Sequence, residues 1–301
     1  MLKIKNLILK NPITLASGTC GYGEELSAYY DLSELGAIFT KGISLNPREG
    51  NSGNRIIETY SGVMNSIGLE NVGVEKFITD KIPFLEKNKI VYIPNIAGHS
   101  IEENIEIVNR LDGIDSINGY EINVSCPNVK EGGIAFGTNL TLLAKLTQEL
   151  RKITSKALII KLSPNVGDIK DFARCAEDNG ADAVSAVNTY IGLKIDIKKK
   201  KPYFNNITAG LSGPAIKPMA LRCVYEIYKT VKIPIIGMGG ISNFKDALEF
   251  IYAGASVFSI GTMSLSDPMI GKKVLVRYYK HCNKYKMSDT SASVGMVHAK
   301  D

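Results

Sequence analysis

Eight short runs of aliphatic and β-branched residues punctuate the chain, at residues 13–16, 37–40, 90–96, 119–124, 157–162, 183–187, 233–237 and 257–260. Within each run the hydrophobic positions are continuous rather than alternating with polar ones, the pattern of strands covered on both faces in a parallel sheet. Between the runs the apolar spacing is helical, and capping residues stand where helix ends need them. Ser100 and Glu103 have the spacing of a capping box, and Asn243 is placed to receive the free N–H groups of the helix that follows it. Gly180 and Gly254 fall just past helix ends, where the chain must turn toward the next apolar run. Eight alternations of strand and helix predict an α/β fold, a (β/α)8 barrel, with a Rossmann-like open sheet as the alternative.

Two stretches are too long for plain barrel loops. Residues 42–76, rich in Asn, Gly and Ser, and residues 188–217 are expected to carry strand-turn-strand insertions over the C-terminal mouth of the barrel, the end at which such folds build their sites. Neither an internal repeat nor a change of composition marks a second domain. Residues 1–287 therefore read as a single barrel domain, and residues 288–301, small and polar, as a flexible C-terminal tail.

Composition narrows the function classes. With 301 residues, 45% hydrophobic, 22% charged and 28 glycines, the chain can bury a large core and is neither disordered, collagen-like nor a coiled coil. The formal charge of +6 suits an anionic ligand, but the basic residues are spread along the chain. One dense basic run, Lys198 to Lys201 with Lys194 nearby, reads as a solvated hairpin or loop, so nucleic acid is not an expected partner. No segment approaches the roughly 18 to 20 apolar residues of a membrane span. Lys10, Asn11 and Pro12 interrupt the apolar stretch nearest the N-terminus, so the expectation is a cytoplasmic protein with neither signal peptide nor membrane anchor. The cysteines at 20, 126, 175, 223 and 282 are too far apart for a metal knuckle or an iron-sulfur ligand run, and read as free thiols in a reducing compartment. His99, His281 and His298 have no partner at ligand spacing, so no metal centre is expected.

In a barrel, the polar residues that end successive strands converge on one mouth: Ser17, Lys41, Asn95, Asn123, Lys161, Asn188, Gly239 and Gly261. Buried amides and lysines cost free energy unless partnered, so the set points to a polar ligand filling the mouth. Gly237-Met238-Gly239-Gly240 and Gly261-Thr262 are the turns a barrel phosphate site needs, a feature that isomerases and aldolases share. No G-x-G-x-x-G follows a strand, so the chain offers no Rossmann site for a nicotinamide dinucleotide. Cys126 follows the fourth strand at the root of a glycine-rich stretch and is open to three roles: general base, nucleophile or small buried residue. Cys20 also lies near a strand end, but nothing polar beside it would activate it.

Six segments carry a resemblance: Ala16-Ser17-Gly18-Thr19, Asn65-Ser66-Ile67-Gly68-Leu69, Asn123-Val124-Ser125-Cys126-Pro127-Asn128, Lys161-Leu162-Ser163-Pro164-Asn165, Leu211-Ser212-Gly213-Pro214-Ala215 and Ile236-Gly237-Met238-Gly239-Gly240. In this order and spacing the chain resembles the dihydroorotate dehydrogenases, and most closely their class 1B catalytic subunits, over residues 2–287. The resemblance implies an FMN-containing TIM barrel that oxidises (S)-dihydroorotate to orotate, the redox step of de novo pyrimidine (UMP) biosynthesis. It implies that Cys126 is the base that takes the proton from C5 while hydride leaves C6 for N5 of the flavin. Class 2 members, which are membrane-associated, place serine at that position.

By the same resemblance, Lys161 sits at the N1 and O2 edge of the flavin, where a fixed cation stabilises the reduced form. Ser17, Gly42, Asn95, Val187 and Gly213 are implied FMN contacts, with Gly239, Gly240, Gly261 and Thr262 around the phosphate. Lys41 and Asn123 match positions that touch both flavin and substrate. Asn65, Ser66, Ile67, Gly68 and Leu69, with Asn188 and Thr189, match the orotate pocket, whose asparagines complement a ring of amide donors and acceptors. Class 1B further implies NAD+ as acceptor, reached through an electron-transfer subunit with FAD and a [2Fe-2S] cluster, around a homodimer core within a heterotetramer. Residues 130–138 are similar to the 1B form of the catalytic loop. The alternatives are a fumarate-dependent class 1A activity and a non-redox phosphate-binding barrel enzyme.

Overall fold

A computed structural model describes residues 2–125 and 136–299. Eight parallel strands among them close into a barrel: β1 (Ile13–Leu15), β2 (Ala37–Ile43), β3 (Tyr92–Ile96), β4 (Gly119–Asn123), β5 (Ala157–Lys161), β6 (Ala183–Ala186), β7 (Ile235–Met238) and β8 (Val257–Ile260). Each strand pairs with the next in sequence, and β8 returns to β1 with Phe258 opposite Ile13, which excludes the open sheet. Every predicted apolar run overlaps one of these strands.

Six of the surrounding helices are α1 (Ile101–Asp112), α2 (Leu140–Ile153), α3 (Ile169–Asp178), α4 (Lys217–Tyr228), α5 (Phe244–Ala253) and α6 (Ile270–Lys284). The Glu103 N–H donates to the Ser100 hydroxyl (3.1 Å), and the Glu103 carboxylate accepts from the N–H of His99, one residue before the box position. At the start of α5 the Asn243 side chain accepts from the N–H groups of Lys245 and Asp246. Gly180 and Gly254 lie just past α3 and α5, as read from the sequence.

The lower half of the barrel interior is apolar, filled by Phe39, Ile93, Ile159, Ile236 and Val257. An antiparallel hairpin, Leu2–Ile4 with Leu7–Leu9, covers this end, and its Ile4, Leu7 and Leu9 complete the same cluster. A larger cluster lies between barrel and helices. Toward the C-terminal end of the strands the interior turns polar, where Glu121 and Ser185 are fully buried.

Both long stretches do carry strands, and the two insertions pair with each other. Ile56–Thr59 and Gly62–Asn65 from the first join Tyr190–Leu193 and Thr208–Ser212 from the second in one four-stranded antiparallel sheet, with Asn65 opposite Gly210. The basic run forms the turn of a hairpin, Ile195–Asp196 with Lys201–Pro202, with Lys198, Lys199 and Lys200 exposed.

Residues 288–299 depart from the flexible tail expected of them. Thr290 and Ser293 are buried, the Gly295 N–H donates to the Ile251 carbonyl (3.0 Å), and the His298 ring stacks on Tyr225 with centroids 4.1 Å apart. The segment is thus laid against α4 and α5. Small polar residues make it look unstructured in sequence, yet Gly295 (φ +73°) lets the backbone approach α4, where a Cβ would lie 2.3 Å from the Tyr228 ring.

Candidate active site

The strands deliver their last residues to a single cavity of about 740 Å³ at the C-terminal mouth. Ser17 follows β1, Lys41 and Gly42 lie near the end of β2 just before Ile43, Asn95 lies on β3, Asn123 ends β4 and Lys161 ends β5. Val187, Asn188 and Thr189 follow β6, Gly239 and Gly240 follow β7, and Gly261 and Thr262 follow β8. The inserted sheet roofs the cavity with Asn65, Ser66, Ile67, Gly68 and Leu69 on one side and Gly213 on the other. Each expected binding residue therefore borders one space. Cys126 and most of residues 130–138 lie outside the described residues; Ser125, the last before that gap, borders the cavity.

The wall formed by β3 to β6 is held by a polar cluster. The Glu121 carboxylate accepts from Asn95 Nδ2 (2.6 Å) and Ser185 Oγ (2.7 Å), and the Lys161 ammonium stands 3.5 Å away. Lys161 is only 7% exposed along its side chain and Glu121 is wholly enclosed, so the pair is an internal one. Glu121 was not anticipated from the sequence. The signal was present: a charged residue inside an apolar run, on the same face of β4 as Asn123 by strand alternation.

A second network orders the residues after β6. Asn165 Nδ2 donates to the Thr189 carbonyl (2.9 Å), and its Oδ1 accepts from the Ile191 N–H (2.9 Å). Asn188 Nδ2 donates to Asn123 Oδ1 (3.3 Å), so an amide at the end of β4 and one just after β6 meet across the end of β5 at one edge of the cavity. Asn165 and Ser163, in the segment Lys161-Leu162-Ser163-Pro164-Asn165, both border the cavity, and neither was among the binding residues expected from the sequence.

In the roof, Asn51 Nδ2 donates to the Ser66 carbonyl and hydroxyl. Gly68 has φ +77°, and a Cβ there would lie 2.4 Å from the Asn51 side chain, so glycine lets the two turns meet. Lys41 Nζ stands 3.7 Å from the Glu70 carboxylate, which also receives Arg55 (3.2 Å).

The opposite wall suits an anion. Gly240 has φ +84°, and a Cβ there would meet the Gly213 carbonyl at 2.9 Å and Lys217 at 2.7 Å. Lys217 itself is tied to Asp246 (2.8 Å) and Glu249 (3.0 Å), and the glycine turns bring backbone, with the hydroxyls of Ser212 and Thr262, to this side of the cavity. Asn95 Oδ1 is buried with no hydrogen-bond partner among the described residues. An orphaned acceptor, a fixed lysine beside it and an anion cradle across a cavity of this size fit FMN, which offers ring donors at one end and a phosphate at the other.

A parallel barrel whose mouth joins paired amides and a lysine to a wall of glycine turns has the layout of a barrel enzyme with a polar ligand in its mouth. The chain belongs to the dihydroorotate dehydrogenase family, whose profile matches residues 1–278. Among similar chains, one from Thermoanaerobacter pseudethanolicus is 54% identical over 296 residues, covering 98% of both chains. One from Desulforamulus reducens is 48% identical, covering 99% of this chain and 98% of its own, and one from Geobacter sp. strain M21 is 44% identical, covering 98% and 96%. All three carry the name dihydroorotate dehydrogenase B (NAD(+)), catalytic subunit.

Proposed function

We propose that this chain oxidises (S)-dihydroorotate to orotate in pyrimidine biosynthesis, with one FMN in the barrel mouth, and that a partner subunit carrying FAD and a [2Fe-2S] cluster passes the electrons to NAD+. The observation that carries the reading is the division of the cavity into an amide-and-lysine wall and an anion cradle. The name shared by relatives covering nearly the whole chain supports NAD+ and a partner. No helix among the described residues is long and apolar enough to cross a membrane.

Bound there, FMN supplies a hydride acceptor. Ser17, Gly42, Asn95, Val187 and Gly213 would hold its ring and ribityl chain, Gly239, Gly240, Gly261 and Thr262 its phosphate, and Lys161 a ring edge where negative charge develops. Lys41 offers a cation to the substrate carboxylate, and Asn65, Asn123, Asn188 and Thr189 offer amide and hydroxyl groups to the pyrimidine ring. Cys126, next to the cavity-lining Ser125, takes the C5 proton, a role that rests on its place in the motif. The inserted sheet and residues 65–69 border the space, where they would shield the reacting face from water.

An anaerobic absorbance spectrum tests this. The purified chain is expected to show a flavin band that dihydroorotate bleaches and that NAD+ alone does not restore. Restoration by fumarate would move the chain to the class 1A activity, and a protein that cannot be loaded with FMN would favour the non-redox barrel. Cys126→Ala should keep the flavin and slow its bleaching by about a hundredfold or more, the usual contribution of a general base. Unchanged kinetics would remove Cys126 from the reaction.

A further inference from the structure

Glu121 sits at mid-strand on β4, fully enclosed, directly beneath the amide-and-lysine wall. Its carboxylate gathers Asn95 Nδ2, Ser185 Oγ and the Lys161 ammonium, and Glu121 itself does not line the cavity. A buried ion pair is seldom more stabilising than apolar residues of similar volume, so stability alone is a weak reason for one here. Two consequences follow from its position. Because Nδ2 of Asn95 is committed to Glu121, Oδ1 is left at the cavity wall as a buried acceptor without a partner among the described residues. And the Lys161 cation meets the mouth with an anion 3.5 Å away, rather than as an isolated positive charge.

We propose that Glu121 is a positioning residue that fixes the Asn95 amide and the Lys161 ammonium and, by its charge, holds down the midpoint potential of the flavin bound above them. The proposal rests on the reading that FMN occupies this mouth. An unpaired lysine at the ring edge would favour the reduced, more negative flavin and trap the electrons there. The anion behind it offsets that preference, so that the flavin can both accept a hydride and release electrons to a partner.

The test is spectroelectrochemical titration of FMN bound to the wild-type chain and to Glu121→Gln, which keeps the side-chain volume and removes the charge. E121Q should take up FMN and show a more positive midpoint potential, corresponding to at least a tenfold rise in the preference for reduced over oxidised flavin. A potential that is unmoved or more negative overturns the proposal, because a purely structural role would not shift it upward.

Should E121Q not retain flavin, Ser185→Ala decides. It removes a donor that draws charge from the carboxylate, so the potential should fall, and a potential that stays or rises overturns the proposal. A wild-type chain that takes up no FMN overturns the functional reading and this proposal with it. Flavin bound by the wild type with no shift of the stated sign in the deciding variant overturns this proposal alone.

Discussion

Cys20 shows what the barrel does to a thiol that has no work at the mouth. Its Sγ lies 3.2 Å from the Phe39 carbonyl, in the core, and burial pushes the thiol up to about 12 even though the Lys161 cation pulls the other way. A raised thiol value means the neutral form persists at every pH below it, and the neutral form is neither base nor nucleophile. The sequence ranked Cys20 behind Cys126 because nothing beside it could activate it, and desolvation is the physical content of that ranking. Iodoacetamide at pH 8 should therefore leave Cys20 unmodified in the native protein and modify it after denaturation, as read by mass spectrometry of the peptide. Native-state labelling at the rate of an exposed thiol would show that the packing around Phe39 opens.

At the level of elements, the eight barrel strands were legible because a strand buried on both faces must be apolar throughout, and few other structures produce runs of that length separated by helical spacing. Caps were legible for a similar reason, since Asn243 and Ser100 satisfy donors that every helix exposes. Pairing between distant segments was not. Asn65 and Gly210 lie opposite each other across 145 residues, and nothing in either insertion alone says that they share a sheet. Glu121 was missed because its meaning depends on three partners from three other strands, and the ordered segment at residues 288–299 because its contacts are with helices far away in sequence. Local and remote meet at Asn243. Besides capping α5, its Nδ2 donates to Asp246 (3.0 Å), the carboxylate that also receives the Ser242 N–H and Lys217 beside the glycine turn. Asn243→Ala should cost about 1 kcal/mol in denaturant unfolding of the apoprotein, the usual value of a cap. On the proposed function it should also weaken FMN retention more than the loss of an isolated cap would, because it loosens the carboxylate that holds Lys217 and the Ser242 N–H beside the glycine turn. A stability loss with unchanged FMN affinity would confine Asn243 to capping.

Across the whole molecule, the barrel separates what holds the fold from what carries the chemistry. The hairpin of residues 2–9 closes one end with Ile4, Leu7 and Leu9, and the cavity opens at the other, with the apolar layer of Phe39, Ile93, Ile159 and Ile236 between them. Interiors packed this densely do not collapse around a missing side chain, so truncation in the plug leaves a cavity whose cost is felt globally. Leu9 is 1% exposed and belongs to that cluster. Leu9→Ala should lower unfolding stability by about 2 to 5 kcal/mol, the range for a buried leucine. FMN affinity at temperatures well below the transition should stay within about twofold, because no strand end at the mouth has lost a partner. Urea unfolding monitored by circular dichroism gives the first quantity, and FMN fluorescence quenching gives the second. If Leu9→Ala released FMN before it unfolded, the two ends would be coupled through the apolar layer, and substitutions in the plug would then tune the flavin site rather than the fold alone.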